Sequence, residues 1–275
     1  MLRQRAITAM VLLAILLPAL TAGSPELFAV LTLLLVCAAG WEWGRLNGLR
    51  FYAALGEGGL LAAAGLVALG TGWALNPPIQ GWWASSAVWT LVSLVALRGG
   101  PPVWRRIPQW VRLVVGLLML WVAWLAMVSA KVLGVDFILS VFSIVWMADM
   151  SAYFGGRAFG KHKLAPSISP GKTWEGVVSA VFGVALLAIS WLMLDRSTPS
   201  NVFAVLFDRL GLVGLVLSLV ALTALSVVGD LVESLVKRAA GAKDSSALLP
   251  GHGGVLDRVD ALLPVFPAAL ALISL

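Results

Sequence analysis

The chain has 275 residues, of which 60% are hydrophobic and 12% charged. Soluble domains carry roughly 45–50% and 25%, so a water-soluble fold is excluded. One cysteine, Cys37, forms no intramolecular disulfide, and two histidines make no histidine-rich metal cage, which removes a stapled secreted fold and structural zinc. The net charge of +6 points to an anionic lipid or phosphate surface rather than nucleic acid, because Lys and Arg sit in short tracts between long apolar runs. Thirteen tryptophans against two tyrosines suit rings anchored at bilayer interfaces.

A membrane-spanning helix takes about 20 mostly apolar residues. In chain order, about nine segments qualify: 7–23, 27–46, 51–75, 83–97, 111–133, 137–154, 174–194, 210–231 and 255–275. The expected fold is therefore an all-α, polytopic integral membrane protein with short loops. The fourth span is short, and the ninth carries Pro264 and Pro267, which predict a kink. The opening "MLRQR" before an apolar run also fits a secretory signal. With eight further hydrophobic segments downstream, an uncleaved first span is the better reading. Cys37, inside an apolar run, reads as a packing residue.

With the N-terminus inside, sixteen of the nineteen Lys and Arg fall on the cytoplasmic side. Lys131, Arg196 and Arg209 fall outside. That asymmetry is what the positive-inside rule demands. It predicts cytoplasmic polar loops and an outside C-terminus. The chain divides into about five N-terminal spans, 1–135, and about four C-terminal ones, 136–275, which carry polar segments at 146–176 and 229–260 and are the expected seat of any catalysis.

The first polar segment reads "WMADMSAYFGGRAFGKHKLAPSISPGKTWEG". Asp149 and Tyr153 share a helix face. Arg157, Lys161, His162, Lys163 and Lys172 follow on what reads as a flexible, glycine-rich loop suited to wrapping phosphates. "GKT" is not a Walker A motif, because the required glycine five residues before Gly171 is Pro166.

In the second segment, Asp230, Glu233, Ser234 and Lys237 fall on one helical face and lead to Arg238. Asp257 and Asp260 share a face at the start of the last span. An antiparallel hairpin of spans eight and nine brings these four carboxylates together. Converging carboxylates near a bilayer need a counter-charge. A hard divalent ion such as Mg²⁺ supplies it, with Lys237, Arg238, Lys243 and Arg258 left for phosphate oxygens. The plainer alternative is a set of interfacial ion pairs, Asp257 or Asp260 with Arg258 and Asp230 with Lys237. His252, in "PGHGG", is either a phosphate donor or an ordinary turn histidine. Glu42 and Glu57, inside or beside apolar spans, are buried, protonated or paired, or they line a polar path.

The run "SLVKRAAGAKDSSALLPGHGGVLDRVD", residues 234–260, resembles the signature of the phosphatidate cytidylyltransferases (CDP-diacylglycerol synthases), and "DMSAYFGGRAFGKHKLAPSISPGKTWEG" is similar to that family's second motif. The resemblance covers roughly the second half of the chain. It implies an integral-membrane enzyme of bacterial type that joins CTP and phosphatidic acid into CDP-diacylglycerol and pyrophosphate, with Mg²⁺ and room for a second cation. The bacterial resemblance also implies residence in the cytoplasmic (inner) membrane. On this reading Asp230 and Asp257 are the first metal ligands. Asp260, Glu233, Ser234 and Asp244 are further ligands or water-holders. Lys172, Lys237, Arg238, Lys243 and Arg258 contact phosphates, with His252, Gly253 and Gly254 beside them. The lipid phosphate is the nucleophile and no protein nucleophile is needed. Expected partners are the two substrates and the bilayer, with a homodimer compatible. Two alternatives are a CTP-dependent lipid kinase and a cation-coupled transporter using Glu42, Glu57 and Asp149. The transporter's half-to-half repeat is absent from the sequence.

Overall fold

The computed structural model describes residues 2–194 and 200–275, without the side chains of residues 2–6 and 9. Arg196 and the side chains of Arg3 and Arg5, all counted in the charge asymmetry, lie outside the described residues.

Helices stand at each of the expected spans: α1 (Leu2–Thr21), α2 (Pro25–Leu46), α3 (Phe51–Gly70), α4 (Gln80–Arg106), α5 (Gln109–Leu133), α6 (Val135–Phe159), α7 (Trp174–Leu194), α8 (Val202–Ala239), α9 (Leu256–Val259) and α10 (Leu262–Leu272). Among the described residues, α2, α3, α5, α6, α7 and α8 are long and apolar enough to cross a membrane. The protein is an all-α polytopic membrane protein. Its local starts follow sequence. At α2, Pro25 occupies the first turn, where its missing N–H is harmless, and Glu26 sits at the positive end of the helix.

Three spans differ most from expectation. The fourth runs well past 97, because the helical path continues to Arg106 across a break at Gly100 (φ 63°), after which Pro101 and Pro102 start a new turn. The eighth starts before its expected limit and ends beyond it. An initial piece from Val202 meets a break at Gly211 (φ 66°), and the rest of α8 continues to Ala239. The ninth is interrupted at Asp260 and Ala261 rather than at its prolines. Pro264 falls in the first turn of α10, where no intrahelical donor is required. At about 1.5 Å per residue, α10 alone is too short to cross a roughly 30 Å hydrocarbon layer. It is apolar all round and buried over 262–271, so it serves as a core helix.

Trp124, Phe28, Phe137, Phe203 and Phe266 are fully buried in one continuous core. The two halves expected from sequence share it, since α10 packs on α4, α5 and α8, and α4 packs on α8. At the C-terminal end, Trp83 Nε1 donates to Ser274 Oγ (3.0 Å) and Arg209 donates to the Ile273 carbonyl. The polar segments collect at the other end of α8.

Candidate active site

The expected flexible loop between α6 and α7 is an ordered antiparallel hairpin, β1 (Lys163–Ala165) with β2 (Ser169–Thr173), pairing Lys163 with Thr173 and Ala165 with Ser169. Three contacts fix it. Thr173 Oγ1 accepts from the Gly176 amide (3.1 Å), closing the first turn of α7. Glu175 accepts the His162 amide on both oxygens (3.2 Å each) and lies 2.6 Å from His162 Nδ1. Arg238 Nε donates to the Ile168 carbonyl (3.3 Å), which ties the tip of the hairpin to the end of α8. Helices α6 and α7 meet closely beneath the hairpin because their facing positions are small. A Cβ at Gly176 would stand 2.8 Å from the Ala152 carbonyl oxygen.

Hairpin, α6 and α8 enclose a cavity of about 410 Å³ lined by Asp149, Tyr153, Arg157, Ser169, Lys172 and Asp230, among others. Lys172 Nζ lies 2.6 Å from Asp230 Oδ2, and Ser234 Oγ donates to Asp230 Oδ1 (3.2 Å). Asp230, Glu233 and Asp260 each place a carboxylate oxygen within 4.8 Å of the other two. This approach depends on Gly229, whose absent Cβ would otherwise lie 2.6 Å from the Asp260 carbonyl oxygen. Burial, then the Asp230 charge, pushes the Asp260 carboxyl up from its ordinary range, with Asp149 adding to the push. Glu233 Oε1 is buried without a hydrogen-bond partner among the described residues. Three acids with an unmet oxygen form a donor set of the kind hard divalent cations take.

Asp257 is placed differently. Its Oδ1 accepts from Lys237 Nζ (2.6 Å), its Oδ2 accepts from the Gly254 amide (2.8 Å) and the Ser245 amide (2.9 Å), and Ser245 Oγ lies 2.9 Å from Oδ2. Burial alone would raise this carboxyl; its hydrogen bonds, those of Lys237 and the Gly254 and Ser245 amides among them, outweigh burial and hold it below the usual carboxylate range. Lys237 Nζ also lies 2.6 Å from Glu233 Oε2, so one ammonium joins Asp257 to the acid group. The expected alternative pairs are not the ones formed among the described residues. Asp230 takes Lys172 rather than Lys237, and Arg258 gives its Nε (3.1 Å) and Nη2 (2.6 Å) to the His252 carbonyl.

The remaining residues singled out from sequence lie elsewhere. Lys243, Asp244, His252, Gly253 and Arg258 line a separate open basin of about 650 Å³. Arg238 spends its guanidinium on the carbonyls of Ile168 and Ala242. Of the readings open for Glu42, the structure takes the buried and paired one, with partners that the sequence did not name. Glu42 of α2 is fully buried and accepts from Ser246 Oγ (2.5 Å), Val255 N (2.9 Å), Ser245 Oγ (3.1 Å) and Leu256 N (2.6 Å), all within the second polar segment. Only its place in an apolar run signalled it. Glu57, on α3, is buried with Oε2 unpartnered among the described residues.

The chain that carries this arrangement matches a known family. The model of the cytidylyltransferase family matches residues 3–275. A phosphatidate cytidylyltransferase of Pseudomonas aeruginosa is 40% identical over 98% of this chain and 97% of its own length. One from Brucella abortus is 36% identical over 86% of this chain and 72% of its own. One from Haemophilus influenzae is 48% identical over 49% of this chain and 44% of its own. The chain belongs to the cytidylyltransferase family.

Proposed function

We infer that the protein is a phosphatidate cytidylyltransferase, which condenses CTP with phosphatidic acid to give CDP-diacylglycerol and pyrophosphate. The observation that carries this reading is the three-acid group beside Lys172 at the wall of a polar cavity, in a cytidylyltransferase chain whose helices suit a bilayer. In the transfer, an oxygen of the lipid phosphate bonds to the α-phosphorus of CTP as the bond to the pyrophosphate oxygen breaks. That phosphate is already ionised near neutral pH, so the protein need only position the two anions and offset their charge. Lys172 and Arg157, on the cavity wall, are suited to the triphosphate.

Asp230, Glu233 and Asp260 would hold Mg²⁺, with Asp257 next to them through Lys237. Bound there, Mg²⁺ would supply charge neutralisation for phosphate oxygens. A second cation, and roles for Ser234 and Asp244 as water-holders, belong to the same reading, as do the inner membrane, a cytoplasmic N-terminus and cytoplasmic site loops. Lys243, His252, Gly253 and Arg258 then offer phosphate contacts from the neighbouring basin. A homodimer is compatible, and light scattering of the detergent-solubilised protein measures it.

The deciding experiment incubates purified protein with CTP, Mg²⁺ and either phosphatidic acid or diacylglycerol, with and without EDTA. Pyrophosphate release that needs phosphatidic acid and stops with EDTA supports the reading. Release of CDP with diacylglycerol would make the protein a lipid kinase instead.

A further inference from the structure

We propose that Glu42 is a positioning residue for the transfer, acting through the turn that carries Asp257; this rests on the cytidylyl-transfer reading above. Four donors converge on its carboxylate, two on each oxygen. Ser246 Oγ and the Val255 amide meet Oε1, while Ser245 Oγ and the Leu256 amide meet Oε2. A carboxylate has acceptor capacity for all four. An amide does not: its nitrogen would face a backbone N–H that cannot turn away, so that bond would be lost, and the serine on the same side would have to reverse from donor to acceptor.

All four donors belong to one short stretch of chain more than 200 residues away in sequence. Ser245 spans the gap to the site, since its hydroxyl oxygen lies 3.1 Å from Glu42 and 2.9 Å from Asp257. Gly254 seals the contact. A Cβ there would stand 2.3 Å from Glu42 Oε1, while the Gly254 amide itself holds Asp257 Oδ2 (2.8 Å). The line of contacts then runs from Asp257 through Lys237 to Glu233. Glu42 itself lines neither polar cavity, so its effect on the reaction is on alignment and not on substrate contact. Misplacing a reacting constellation by about 1 Å can cost around 100-fold in rate.

The test compares the parent protein with Glu42→Gln, Glu42→Asp and Ser246→Ala, each purified in detergent. Pyrophosphate release is measured against CTP at saturating phosphatidic acid and Mg²⁺, well below each variant's melting temperature. The expected result is a kcat lower by about 10- to 100-fold for Glu42→Gln, with the KM for CTP changed less than about twofold. Glu42→Asp, which keeps the charge, should regain part of the loss, and Ser246→Ala, which removes one donor of four, should lose less than Glu42→Gln. A Glu42→Gln kcat within about twofold of the parent overturns the proposal. So does a loss that tracks the unfolded fraction, or one confined to KM. Should Glu42→Gln fail to fold, Ser246→Ala decides: parent-like kcat overturns the proposal and a kcat loss at constant KM upholds it. A parent protein that releases no pyrophosphate overturns the reaction reading and this proposal together.

Discussion

Lys237 is 13% exposed and stands 2.6 Å from both Glu233 and Asp257, which are 4% and 6% exposed. Removing one member of such a buried set typically costs about 3–5 kcal/mol, because the remaining charges lose their partner. Asp230 is more open, and its role can be separated from stability. Asp230→Asn keeps the shape and the Ser234 contact but removes the charge that faces Lys172. The expected outcome is turnover reduced by at least about 100-fold with an unchanged melting temperature; near-parent conversion of CTP at saturating Mg²⁺ would remove Asp230 from the metal set. At this scale sequence spacing was informative for Asp230 and Glu233, because one helix carries both and helical geometry fixes their face. It was uninformative for Glu42, whose partners are set by tertiary packing. Its alternative pairing of Asp230 with Lys237 also failed, because Lys172 arrives on the hairpin from outside the helix and takes Asp230, leaving Lys237 to Glu233 and Asp257.

The elements explain why the acids meet at all. Helix α8 can lie against the turn before α10 only because residue 229 has no side chain. Gly229→Ala forces the two apart or strains them, and overpacking of this kind costs about 1–3 kcal/mol. The expected outcome is a lower melting temperature together with a fall in kcat larger than the change in CTP affinity, read by thermal unfolding and steady-state pyrophosphate release. Among the described residues hydropathy located the spans, since a run of apolar residues is a local property, though it read α9 and α10 as one. It could not place the breaks at Gly100 and Gly211, which depend on a positive φ at one residue. Nor did it reveal the hairpin, whose strands hold Pro170 and Gly171 and are ordered by contacts to Glu175 and Arg238.

For the molecule as a whole, Trp83, Arg209 and Ser274 meet at one end, and the hairpin and acid group lie toward the opposite end of α8. Cys37, the one cysteine, makes the sidedness measurable. In a Cys37→Ala background, an impermeant maleimide applied to spheroplasts should label Leu275→Cys and spare Lys161→Cys, and inverted vesicles should reverse the pattern. The opposite result would place the site loops outside.

Beyond its break at Gly211, α8 continues unbroken through residue 239, about 28 residues and roughly 42 Å at the usual rise. A hydrocarbon layer of about 30 Å cannot hide that length. The anchor and the acid-bearing turn are thus one stiff rod, and the height of Asp230 above the leaflet is tied to how deeply the rod sits. Host lipids of different acyl length should therefore tune the rate. Reconstituted into a graded series of thin to thick liposomes, the protein should show a maximum at intermediate thickness, whereas a flat profile would mean that the rod tilts freely enough to absorb the mismatch.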